Sequence, residues 1–140
     1  MTGFDPGRFV SAQEDIYARA LAELEAGHKQ SHWMWFVFPQ LAGLGTSPMA
    51  VRYAIHSLEE ARAYLVHPVL GERLRDSVAA MLTHKSARPE AILGGIDALK
   101  FRSSLTLFEA AADDPELFAA GLDAFYDGER DQRTLELLGR

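Results

Sequence analysis

The chain contains no cysteine. Disulfides, thiolate nucleophiles, zinc–thiolate sites and iron–sulfur clusters are therefore excluded. Long apolar runs are also missing. The longest, Trp33 to Phe38, is six residues, against the ~20 that a membrane-spanning helix needs. No basic segment followed by an apolar one opens the chain, so no secretory leader is expected. Positive charge is scarce and scattered: 14 Lys+Arg against 20 Asp+Glu give a net charge of −6. Without a basic stripe, no nucleic-acid partner is expected. The same absences leave the cytoplasm as the expected location and give no reason to expect a membrane partner. Gly-x-Ser-x-Gly, P-loop and Gly-x-Gly-x-x-Gly motifs are absent too.

What remains is the composition of a globular chain, with 140 residues and 48% apolar side chains. That length suits one domain, spanning 1–140. Breakers recur at short intervals, and no hairpin signal appears. Asp5-Pro6 reads as an N-cap followed by proline in the first turn, opening a helix over about 6–26 that Gly27 stops. His32–Phe38 lacks a clean period; with no second strand to pair with, it is read as a short buried helix. Ser47-Pro48 opens a helix to about Ile55, and Ser57-Leu58-Glu59-Glu60 is a capping box for the next. An apolar stripe runs from Val69 to about His84, a helical turn spans Pro89–Leu93, and a helix covers about 96–111. Asp114-Pro115 and Asp131 cap the last two. The expected fold is all-α: a compact single-domain bundle of about seven to nine short helices.

Two stretches carry most of the candidate chemistry. In Lys29–Gln40 both tryptophans stand beside His32 and Gln40. Trp33 or Trp35 can stack on a flat ligand, and Gln40 can orient it. His32 is the candidate general acid/base, because an imidazole titrates near neutral pH. A Trp/Phe cluster is equally what a helical core requires. In Asp97–Thr106, Lys100 and Ser104 are four apart and share a helix face. Arg102 can grip a carboxylate or phosphate with two parallel bonds, and Ser103 adds a hydroxyl. Inward-facing serines would need buried partners. His28 and His32 have metal-ligand spacing, but Gly27 and Ser31 break the helix such a pair needs, so no metal site is expected.

The blocks Ser31–Leu41, Gly43-Leu44-Gly45, Tyr53-Ala54-Ile55, Ala63-Tyr64-Leu65, His67–Gly71, Asp97–Lys100, Arg102–Phe108 and Asp131–Leu138 resemble a bacterial and fungal family. It is designated domain of unknown function 1810. The resemblance spans nearly the whole chain and implies an all-α cytoplasmic domain. It implies no reaction and no catalytic residue. Members sometimes carry the label calpastatin, which denotes repetitive disordered inhibitors; this aromatic, non-repetitive chain has the opposite composition. Two functions are therefore expected from the residues. The first is a pocket, catalytic or not, for an anionic, nucleotide-like or phosphorylated small molecule. The second is a non-catalytic helical module that docks a protein partner.

Overall fold

Local capping chemistry sets most of the helix starts. The structure, a computed structural model, describes residues 4–140. Met1 to Gly3, part of the stretch read above as lacking a leader, lie outside the described residues. Ten helices follow in order: α1 (Pro6–Gln13), α2 (Tyr17–Ala26), α3 (Met34–Val37), α4 (Pro48–Arg52), α5 (Leu58–Val66), α6 (Leu70–Leu82), α7 (Pro89–Leu93), α8 (Gly95–Ala111), α9 (Glu116–Tyr126) and α10 (Gln132–Leu137). The count exceeds the seven to nine expected, chiefly because the first helix is two.

Asp5, Ser47, Ser57 and Asp131 each accept a hydrogen bond from a first-turn amide, as an N-cap must. The capping box at Ser57 is half altered. The Ser57 hydroxyl accepts from the Glu60 amide, but the Glu60 carboxylate accepts from the His56 amide, one residue further out.

The break between α1 and α2 has no local cause. Gln13 is buried, and its amide donates to the Phe36 carbonyl at 2.6 Å while Arg73 donates to its Oε1. That tertiary anchorage lets α1 pack on α3 and α2 pack on α6. The predicted helix over Ser47–Ile55 stops early, at Arg52. Ile55 instead pairs with Leu41 in an isolated parallel bridge: the Ile55 amide donates to Gln40 O at 2.9 Å, and the Ala42 amide donates to Ile55 O at 2.7 Å.

The core is aromatic. Phe9 meets Tyr64 edge-on at 5.2 Å, Tyr64 meets Phe108 at 5.3 Å, and Phe108 meets Phe118 at 6.1 Å. A second chain runs from Trp33 to Phe38 to Phe101 and on to Phe125. Burial raises the pKa of Tyr64 and of Tyr126, so both hydroxyls stay protonated. The central rod is α8, buried almost continuously from Phe101 to Phe108 and packed on α5, α7, α9 and α10. Its apolar residues encircle it, as suits a helix surrounded by others. No described helix is long and apolar enough to cross a membrane.

Candidate functional site

One buried carboxylate anchors the aromatic stretch. Glu23 lies between Ala20 and Leu24 on the buried face of α2. Its Oε1 accepts from the Gln30 amide (2.8 Å), the Ser31 amide (3.0 Å) and the Trp33 indole N–H (2.9 Å). Its Oε2 accepts from the Ser31 hydroxyl at 2.6 Å. Burial pushes the Glu23 pKa up, but the bonds from Ser31, Gln30 and Trp33 outweigh it and hold it down to about 2. Glu23 therefore folds the 28–33 loop around a permanent negative charge.

This arrangement decides the fate of the two tryptophans. Trp33 is 0% exposed, its indole N–H is used, and the Lys29 ammonium lies 5.0 Å from its ring centre. It has no face to offer a ligand. Trp35 is half-buried and meets the Lys100 ammonium at 5.7 Å. His32 is exposed on the bend before α3 and makes no hydrogen bond among the described residues, so nothing orients its ring. Gln40 contributes its backbone carbonyl to the bridge with Ile55, and its side chain is half-buried.

Lys100 connects this loop to α8. Asp97 Oδ2 lies 3.0 Å from Lys29 Nζ, and Asp97 Oδ1 lies 3.8 Å from Lys100 Nζ. Lys29 also donates to the Ser31 carbonyl at 2.7 Å. Two ammonium groups thus share one carboxylate, leaving one net positive charge beside the Trp35 ring. A cavity of about 350 Å³ borders Asp97 and is lined by Leu93, Gly94, Gly95 and Ile96. It sits at the start of α8, where Gly94 has φ +89° and no side chain caps the first amides. A Cβ added at Gly94 or Gly95 would meet nothing within 4 Å, so the backbone there faces open space.

The other half of the sequence-derived set points elsewhere. Arg102 is two residues beyond Lys100, about 200° around a helix. Its Nη2 donates to the Arg130 carbonyl, and its guanidinium lies 6.0 Å from the Tyr126 ring. Its buried Nε has no partner. Ser103 donates to Leu99 O and to Asp131 Oδ2, and Thr106 accepts from the Asp131 amide. Asp131 also accepts from the Thr134 amide and hydroxyl, and Arg130 pairs with Glu109. These groups fasten α10 to α8. Ser104 is 1% exposed, and its hydroxyl makes no hydrogen bond among the described residues. The arrangement around one ligand, with Arg102 and Ser103 beside Trp33, is therefore not what the fold builds. Helical phase separates Lys100 from Arg102, and burial removes Trp33.

Asp131→Ala should loosen α10 by about 1–2 kcal/mol, since the N-cap bond and the Ser103 bond go together. Hydrogen exchange checks it: the 134–138 amides speed up while those of α8 do not.

His28 follows the end of α2 and His32 precedes α3, so no helix holds both. Among the described residues no three His, Asp or Glu side chains gather as metal ligands do. Glu23, Lys29 and Asp97 were not singled out as site residues from the sequence. Glu23 carries a visible signal, a carboxylate three residues after Ala20 and beside Leu24 on an apolar face. The Lys29–Asp97 pair joins positions 68 residues apart and has no local signature.

The profile of the family described as "Protein of unknown function (DUF1810)" matches residues 3–138. The chain belongs to this family. Its fold is shared with the conserved hypothetical protein Rv1873 from Mycobacterium tuberculosis, known from a crystal structure. The two are 50% identical over 98% of each chain, with a TM-score of 0.96. No curated protein matches the chain. For a DUF1810 member the ligand question therefore rests on the site itself.

Proposed function

We propose that the protein binds a small anionic ligand carrying a flat ring, of nucleotide-like or phosphorylated type, at the start of α8. The observation that supports this reading is the Lys29–Asp97–Lys100 group: two ammonium groups share one carboxylate, Lys100 lies beside the Trp35 ring, and Asp97 borders the cavity at Gly94-Gly95. The anionic group would take the uncapped amides of α8, where the helix dipole favours negative charge. Lys100 would reach the same group, and the flat ring would lie on Trp35. His32, three residues before Trp35, would be the proton donor or acceptor if a reaction follows binding.

The test is a thermal-shift panel of nucleotides, sugar phosphates and inorganic anions, run on the wild type and on Lys100→Gln. A ligand at 100 times its Kd should add about 2.7 kcal/mol, a rise of several degrees. The expected result is a rise that Lys100→Gln largely loses while keeping its own folded baseline. A panel without any rise counts against the reading.

A second reading draws on exposed apolar side chains. Ile96 is 74% and Leu99 65% exposed, three apart on α8. Such a pair suits docking of a protein partner in the cytoplasm. Leu99→Ser separates the two readings: it should weaken partner capture and leave a ligand-induced rise intact.

A further inference from the structure

A cavity bordered by two arginines lies between α1 and the end of α4. We infer that it is a binding site for a phosphate-type oxyanion, built by Arg8 and Arg52 with Ser11 and Tyr53.

The construction starts from the orphan carbonyls at the end of α4. Arg8 Nε donates to Arg52 O at 3.0 Å, its Nη2 to Ala54 O at 2.9 Å, and its Nη1 to Asp5 O at 2.8 Å. Three backbone carbonyls thus fix the guanidinium without neutralising it, because carbonyls satisfy donors but carry no net charge. The Phe9 ring supports it at 4.5 Å from the centroid. Arg52 follows on the other wall, its guanidinium 5.5 Å from the Tyr53 ring centre. Neither arginine forms an ion pair among the described residues, whereas Arg19, Arg88 and Arg130 do.

The space between them is a cavity of about 490 Å³. Ser11, one turn after Arg8 on α1, lines it, and so does Tyr53. Neither hydroxyl makes a hydrogen bond among the described residues. Asp5 also borders the cavity and is its one acidic neighbour. Its Oδ1 is turned to the Gly7 amide at 3.0 Å as the cap of α1. Two guanidinium groups and one carboxylate leave a net positive charge here, in a chain whose total is −6. A fixed arginine, an exposed arginine and two hydroxyls without a partner among the described residues match the acceptor-rich surface of a phosphate group.

Arg8 ties two helices together, so Arg52→Gln is the informative variant: the Arg52 side chain is exposed and makes no bond that the fold needs. The experiment is a ¹H–¹⁵N spectrum of the full chain titrated with inorganic phosphate, against sodium chloride at equal ionic strength. The expected result is saturable movement of the Gly7, Ser11, Arg52 and Tyr53 amides. In Arg52→Gln, binding should weaken at least about tenfold with the remaining spectrum unchanged, the loss expected for a charge-assisted bond. Movement that never saturates, movement shared equally by chloride, or unchanged binding in Arg52→Gln would each overturn the inference. The α8 site reports on separate amides, Gly95 to Lys100, so either site can fail alone.

Discussion

Glu23→Gln should lower stability by about 2–4 kcal/mol and remove the protein's main acid-sensitive contact. The carboxylate accepts four bonds from Gln30, Ser31 and Trp33. A glutamine in its place offers one acceptor oxygen and turns an NH₂ group toward the Ser31 hydroxyl or the amides. The pKa gives an independent scale. A fall from 4.5 to about 2 corresponds to about 3 kcal/mol, at roughly 1.4 kcal/mol per unit. The sign follows from the depressed value. The stabilisation is present in full above pH 4.5 and is lost as pH falls from there toward about 2. Urea unfolding from pH 7 to pH 2.5 checks this. The wild type should lose stability steeply below pH 4.5, and the variant should lose less over the same interval.

Gly71→Ala should cost about 3 kcal/mol or more, beyond the usual cost of one added methyl. A Cβ at position 71 would lie 2.0 Å from the Leu65 carbonyl oxygen and 2.9 Å from its carbon. Both are backbone atoms of α5 and cannot rotate away. Gly71 sits in the first turn of α6, where α5 and α6 cross after the His67-Pro68 corner. The requirement is close approach, not an unusual backbone angle. Relief would need the corner to open, and the Leu70 and Tyr64 packing beneath it would open too. Chemical denaturation measures the effect; a loss below about 1 kcal/mol would show that the corner yields easily.

The sequence was most informative where structure is local. Asp5, Ser47, Ser57 and Asp131 were readable as caps because an N-cap is decided by its own side chain and the next three amides. The short helix within His32–Phe38 was readable from the lack of any partner strand. The break after Gln13 was not; the contacts that hold Gln13 there come from Phe36 and Arg73, elsewhere in the chain. Ile55 read as helix because its bridge to Leu41 depends on a loop 14 residues earlier.

The candidate site shows the same division. Trp35 stands out for the tryptophan-rich stretch and Lys100 for sharing a helix face with Ser104, and the fold does place Trp35 and Lys100 together. Arg102 stands out as a two-pronged anion binder and Ser103 as a hydroxyl, yet the helix turns them toward α10. Counting positions at 100° per residue separates Lys100 from Arg102. It does not say which neighbour each one meets. Lys29, Asp97 and Arg8 owe their roles to partners that only the tertiary fold supplies.

The most direct test of the account is a fluorescence titration that uses the difference between the two tryptophans. Trp33 is wholly buried and Trp35 half-buried, so Trp35 is the one of the two that a ligand at the start of α8 could touch. The wild type and Trp35→Phe are titrated with the anion that gives the largest thermal shift. The account predicts a saturable change in the wild type that disappears in the folded Trp35→Phe protein. A change of equal size in Trp35→Phe would place the ligand elsewhere and contradict the proposed site.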